Sequence, residues 1–161
     1  MTAMLMRYKA WADERVFEAV RGLPEEEIYK HRKTHFKSIA HTLNHVYVID
    51  RIFQGHLTGQ AHGFTARNTK ETPRIEDLWA QVQELDAWYI DYFDQLSAEA
   101  LAKTVHFKFV DGGEGAMTRS EIAVHLANHA TYHRGFVGDM LNQCGVTPKA
   151  TDLPVYLRDV H

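Results

Sequence analysis

The sequence predicts an all-α fold, a four-helix bundle with a short hairpin or extended excursion between the third and fourth helices. Four segments of about 20 residues carry apolar residues three and four positions apart, which is the spacing of amphipathic helices. Glycine and proline separate these segments. Only one stretch alternates apolar and polar residues as a strand does.

The first predicted helix covers residues 2–21, and Gly22 and Pro24 end it. The second covers residues 37–57, with Ser38 as an alternative N-cap. Both helices carry their apolar residues on one stripe, so each is expected to bury one face.

The segment 58–71 is polar and contains glycine, which predicts a loop that crosses between helices. Thr72 is the predicted N-cap of the third helix, and Pro73 is its first residue, where a missing N–H costs nothing. The third helix is expected to reach about residue 96. Asp86 falls within its apolar stripe, which is unusual for a carboxylate.

Residues 104–118 first alternate apolar with polar side chains and then contain Asp111-Gly112-Gly113, a sequence typical of a turn. This stretch predicts the hairpin or extended excursion. Thr118 and Glu121 then have the spacing of a capping box, which opens the fourth helix. This helix is expected to reach about Gln143, and the tail 146–161 is expected to be irregular.

A length of 161 residues suits a single domain over residues 1–161. The net charge of −3 provides no basic patch, so nucleic acid is not an expected partner. No apolar run reaches the roughly 18 residues of a membrane span, so we expect no membrane partner. The N-terminus meets charge too early for a signal peptide, and Cys144 is the single cysteine, so a cytoplasmic protein without disulfides is predicted.

Eleven histidines are the unusual feature of the composition. His125, His129 and His133 stand four residues apart on the fourth helix and share a sector with apolar residues, so they are expected to face the core. The outer two would lie about 12 Å apart along the helix axis, so at most two neighbours of the three can bind one ion.

A further ligand could come from the second helix, where His41 and His45 are also four residues apart. Three neutral imidazoles with one open position are typical of a catalytic zinc or nickel site. The spacing does not decide which histidines bind. The alternative is that they are packed core residues without a metal.

Three segments resemble the DinB family of damage-inducible, metal-binding bundle proteins. Residues 128–135 match its NHxxxHRG signature, residues 38–46 resemble its second-helix segment, and residues 8–15 are similar to its YNxWAN pattern. The chain departs from the family at Phe136, where glutamine is frequent.

The resemblance implies a divalent metal held by His45, His129 and His133, and it implies a homodimer. It also implies a metal-dependent enzyme, either a transferase that uses a low-molecular-weight thiol or a hydrolase-like enzyme acting on another small molecule. The alternative function is a non-catalytic metal-binding stress-response protein. A fourth protein ligand would favour that alternative, and His41, His125 and Asp86 are the residues in question.

The other charged residues within the helices are expected to be structural. Asp86 is predicted to form a buried ion pair or to lie at a helix edge, and Arg134 to contact a neighbouring carboxylate. Asp50 and Arg51 are predicted to form a polar pair with each other.

Overall fold

The structure, a computed structural model, describes residues 1–160, so His161 at the end of the predicted irregular tail lies outside the described residues. Its elements are the helices and strands α1 (Thr2–Arg21), α2 (Glu25–Tyr29), α3 (Ile39–Thr58), α4 (Ile75–Asp94), α5 (Ala98–Leu101), β1 (Thr104–Lys108), β2 (Glu114–Thr118), α6 (Arg119–Gln143) and α7 (Leu153–Val160). The four predicted helices are α1, α3, α4 and α6.

The four long helices form a bundle, which confirms the predicted fold class. α1 packs against α4 and α6, and α3 packs against α6 and α4. The predicted hairpin is the antiparallel pair β1 and β2, in which Thr104 faces Thr118. Within residues 1–160, no helix is long and apolar enough to cross a membrane.

The helices that carry the candidate ligands begin at well-formed caps. The Ser38 hydroxyl accepts the backbone N–H of His41 at 3.1 Å, so Ser38 is the N-cap of α3. At α6, the Thr118 hydroxyl accepts the N–H of Glu121 at 3.2 Å, and the Glu121 carboxylate accepts the N–H of Thr118 at 2.7 Å. This reciprocal pair is the predicted capping box.

The predicted start of the third helix was wrong by two residues. Thr72 does not cap a helix, because its hydroxyl contacts His41 Nδ1 at 3.1 Å. α4 begins instead at Ile75, and the N–H of that residue donates to the Tyr29 hydroxyl at 2.8 Å. A side chain from α2 therefore replaces the local cap that the sequence pattern suggested.

The prediction of an irregular tail was also wrong, because Leu153–Val160 form α7. Tyr156 is buried, and its ring lies 5.7 Å from the Tyr8 ring and 5.4 Å from the Trp11 ring. Pro154 lies in the first turn, where it costs no helical hydrogen bond. Packing against α1 therefore stabilises a helix too short to form alone.

A buried group of charged side chains, the Lys9 cluster, joins the four long helices. The Lys9 ammonium on α1 lies 2.8 Å from Asp13, 2.9 Å from Asp50 on α3 and 2.7 Å from Asp86 on α4. Asp13 also pairs with Arg134 on α6 at 3.2 Å. The ammonium nitrogen therefore has one carboxylate partner from each of three helices.

These contacts decide three of the sequence-based predictions. Asp86 forms the expected buried ion pair, and Arg134 contacts the expected neighbouring carboxylate. The predicted pairing of Asp50 with Arg51 was wrong, because Asp50 is buried against Lys9 while Arg51 is exposed. Consecutive residues on a helix point in different directions, so the two charges face different surroundings.

The Lys9 cluster holds three carboxyl groups and two cations, so full ionisation would leave one uncompensated negative charge. Burial raises the pKa of Asp86 to about 7 and that of Asp50 to about 6, against the opposing attraction of the Lys9 ammonium. A proton held among these carboxyl groups balances the charges near neutral pH.

Replacing Lys9 by methionine keeps most of the side-chain volume and removes the central cation. We expect Lys9→Met to lower the free energy of unfolding by about 3–5 kcal/mol, because it leaves buried carboxylates without their partner. Urea denaturation measures this loss. The matched control Lys33→Met changes an exposed lysine and should stay within about 0.5 kcal/mol of the wild type. A similarly small loss for Lys9→Met would contradict the interpretation.

The raised pKa of Asp86 predicts a pH dependence of stability. Folded protein keeps this proton up to about pH 7, whereas the unfolded chain releases it near pH 4. The resulting stabilisation is complete below about pH 4 and is lost as the pH rises through 7. The difference in unfolding free energy between wild type and Asp86→Asn should therefore fall from pH 4 to pH 8. The exposed control Asp91→Asn should show no such trend, and a rising difference for Asp86→Asn would refute this pKa shift.

Candidate metal centre

His45 from α3 and His129 and His133 from α6 lie together inside the bundle. One ring nitrogen from each lies within 4.8 Å of the corresponding nitrogens of the other two. The ring centroids are 5.1 Å apart for His45 and His129, 4.7 Å for His45 and His133, and 4.5 Å for His129 and His133. The structure thus brings together the three residues that the family resemblance implied.

The orientation of the His45 ring is fixed by a main-chain contact. Its Nδ1 lies 2.7 Å from the carbonyl oxygen of Arg67, in the loop between α3 and α4. Because a carbonyl can only accept, Nδ1 carries the proton and Nε2 keeps its lone pair. That Nε2 lies 3.2 Å from Nε2 of His129, so the free lone pair faces the other two histidines.

The two histidines of α6 are held neutral by their surroundings. Burial, reinforced by the neighbouring imidazoles, lowers the pKa of His129 to about 3 and that of His133 to about 4. Their Nδ1 atoms are buried and have no hydrogen-bond partner within residues 1–160. Neutral imidazoles with uncommitted nitrogens are the form in which histidine binds metals.

These three residues fit a divalent metal ion. Zinc–nitrogen bonds of 2.0–2.1 Å in tetrahedral geometry place ligand nitrogens about 3.3 Å apart, close to the observed 3.2 Å between His45 and His129. The two neutral rings of α6 also offer the lone pairs with which histidine binds a metal. The nitrogen donors suit zinc, nickel, copper or iron.

The other candidate ligands lie outside this group. His41 Nδ1 contacts the Thr72 hydroxyl, and Asp86 is held by Lys9. His125 stacks on His129 at 5.5 Å between ring centroids, but the group of three histidines does not include it. Within residues 1–160, the group therefore contains three imidazoles and no carboxylate.

Aromatic rings surround the histidine group. Phe36 stacks on His45 with centroids 4.2 Å apart and meets the His133 ring edge-on at 5.2 Å. Tyr132 and Phe136 lie 5.0 Å and 6.1 Å from the His133 ring. Tyr132 is 63% exposed, and of the three histidines His129 is partly exposed while His45 and His133 are buried.

Sequence reasoning missed two of these contributors. Phe36 lies in a short polar segment between helices and has no periodic pattern to mark it, although an isolated aromatic residue beside histidines was a usable signal. Arg67 contributes its main-chain carbonyl, which any residue could supply, so the residue type carried no signal.

The fold and the site together define a helical-bundle protein whose facing helices present three histidines that could hold a metal ion. The chain belongs to the DinB family, since the sequence model of that family matches residues 1–159. This confirms the resemblance drawn from the sequence motifs.

Two known proteins illustrate the relationship. Protein DinB of Bacillus subtilis (strain 168) is 32% identical in an alignment 162 positions long, which covers 95% of this chain and 91% of that protein. The crystal structure of a DinB-like protein from Bacillus cereus ATCC 10987 has a TM-score of 0.68 and 15% sequence identity, covering 89% of this chain and 91% of that one. This second likeness supports the fold.

Replacing any one of the three histidines should abolish stoichiometric metal binding. We expect His45→Ala, His129→Ala and His133→Ala each to lose zinc, because two imidazoles cannot replace a three-nitrogen site. Isothermal titration with zinc on protein without a histidine tag measures this loss. The exposed His31→Ala is the matched control and should bind like the wild type. Any of the three variants that keeps one zinc per chain removes its residue from the ligand set.

Proposed function

We propose that this protein is a metal-dependent enzyme that activates a low-molecular-weight thiol for transfer to an electrophile. The observation that supports this proposal is that three uncharged imidazoles from α3 and α6 converge inside the bundle. His45, His129 and His133 would hold a divalent ion, with zinc or nickel as the expected metals.

The charge of the site favours a thiol as the substrate. No carboxylate belongs to the ligand group within residues 1–160, so the protein would not neutralise a bound divalent cation. A thiol that coordinates such a cation loses its proton and becomes a strong nucleophile. The protein's part is then to hold the three nitrogens in place and to shape the surrounding pocket.

The three-imidazole group supports an enzyme over the non-catalytic alternative. A metal-binding protein without catalysis would be expected to close the coordination shell with a fourth side chain. Of the three residues considered for that role, His41 and Asp86 are engaged by Thr72 and Lys9, and His125 lies outside the group. A bound metal ion would therefore keep a coordination position for a substrate.

The partners of the buried carboxylates also favour thiol transfer over hydrolysis. Hydrolysis of an ester or amide benefits from a general base within hydrogen-bond reach of the attacking water. The buried carboxylates Asp13, Asp50 and Asp86 are bound to Lys9, so they do not fill that role. Thiol transfer needs no such base, because the thiol proton is released to solvent.

Aromatic side chains would shape the entrance for the substrate. Phe36 covers the His45 ring, and its ring excludes water from that side. The exposed Tyr132 beside His133 marks the side from which a small molecule could approach. The homodimer that the family resemblance implies stays a prediction.

A panel of thiols tests the proposed reaction. Zinc- or nickel-loaded protein is mixed with glutathione, cysteine, bacillithiol or mycothiol and an aryl chloride, so that a sulfur–carbon bond forms as chloride leaves. We expect product only with metal and with at least one thiol, and a loss of at least about tenfold in rate for His129→Ala. The matched control His31→Ala should keep the wild-type rate.

The other outcomes separate the alternatives. Thiol-independent cleavage of p-nitrophenyl acetate by the loaded protein, without thiol transfer, would favour the hydrolase-like function. Stoichiometric metal binding without turnover of any of these substrates would favour the non-catalytic metal-binding function. Absence of metal binding would reject both and leave the histidines as packed core residues.

A further inference from the structure

We infer that Asn44 is a positioning residue that sets the orientation of the His45 imidazole through the loop between α3 and α4. Asn44 precedes His45 on α3 and is 1% exposed. Its side chain does not contact the histidine group. Instead it binds the loop segment that supplies the Arg67 carbonyl to His45. The effect of Asn44 on the His45 imidazole follows from the contacts of the metal-free protein. Only the expected change in metal affinity rests on the proposed function.

Asn44 binds the two loop residues that follow Arg67. Its Nδ2 donates to the Thr69 hydroxyl at 2.7 Å and to the side-chain carbonyl of Asn68. Asn68 in turn donates from its own Nδ2 to the carbonyl of His41 at 3.2 Å. Two consecutive loop residues are therefore tied to α3, at Asn44 and at His41.

The direction of each hydrogen bond follows from its partners. The Thr69 hydroxyl donates its proton to the carbonyl of Glu71 at 2.6 Å, so toward Asn44 it can only accept. Asn68 uses its amide nitrogen on His41, so its carbonyl faces Asn44 and also accepts. Both contacts need an N–H donor at position 44, and the two protons of one amide group supply them.

This anchoring fixes a main-chain atom at the site. With residues 68 and 69 tied to α3, the carbonyl of Arg67 is held 2.7 Å from His45 Nδ1. The Arg67 side chain is exposed and pairs with Asp111 in the hairpin turn at 2.9 Å. Because this ion pair is exposed, the contacts of residues 68 and 69 with α3 are the ones that hold the loop. The protonated Nδ1 of His45 leaves its Nε2 free.

The other two histidines lack such support. Nδ1 of His129 and of His133 has no partner within residues 1–160, whereas Nδ1 of His45 has the Arg67 carbonyl. Contacts of this kind to metal-binding histidines fix the tautomer and the ring direction. His45 is thus the ligand that is already oriented in the metal-free protein, and Asn44 is the side chain that maintains this orientation.

The test compares Asn44→Leu and Thr69→Val with the wild type. Leucine has a similar size to asparagine and removes both donors, and valine removes only the hydroxyl that Asn44 contacts. Asn128→Leu is the matched control, because Asn128 is exposed and precedes His129 as Asn44 precedes His45. Long-range ¹H–¹⁵N correlation spectra of the metal-free proteins report which His45 nitrogen carries the proton. Zinc titrations of the same proteins report affinity.

We expect the wild type and Asn128→Leu to show His45 protonated at Nδ1 alone. In Asn44→Leu and Thr69→Val, the form protonated at Nε2 should become populated. Zinc affinity should fall about 10- to 100-fold for Asn44→Leu, the usual effect of losing such support. If Asn44→Leu does not fold, Thr69→Val provides the same comparison.

An unchanged His45 tautomer in the folded variants overturns the inference, even if zinc affinity or thermal stability falls, because a purely structural role would have that effect. Wild-type protein that binds neither zinc nor nickel would instead reject the proposed function. In that case the tautomers of the metal-free proteins still decide the role of Asn44.

Discussion

The ammonium group of Lys9 is the contact on which the bundle most depends. It contacts carboxylates from α1, α3 and α4, and Asp13 extends the contact to Arg134 on α6. Apolar side chains pack tightly but allow small rotations and shifts between helices. Charged contacts that are buried permit little displacement, because a separated buried charge costs several kcal/mol. The Lys9 cluster therefore sets how the four helices lie against one another.

This arrangement matters for the candidate metal centre because its three histidines come from two helices. Arg134 directly follows His133, so the residue that ties α6 to the Lys9 cluster is next to a candidate ligand. Asp50 lies on α3 a little more than one turn after His45. The Lys9 cluster therefore holds α3 and α6 together close to the histidine group that the same two helices form.

The sequence predicted the parts of this protein that depend on local pattern. The capping box at Thr118 and the cap at Ser38 were found because each uses residues within one turn. The start of α4 and the helix in the tail were missed, because both depend on distant side chains, Tyr29 and Tyr8. The spacing of histidines placed them on the right faces, but it could not choose among them. That choice came from the family resemblance, and the structure then brought those three residues together.

The loop between α3 and α4 contributes a carbonyl oxygen, rather than a side chain, to the histidine group. Since every amino acid has this atom, position 67 is free to vary in residue type during evolution. The length of the loop is more constrained, because adding or deleting one residue would move this carbonyl oxygen away from His45 Nδ1. We therefore expect related sequences to tolerate exchange at this position far better than insertion or deletion beside it.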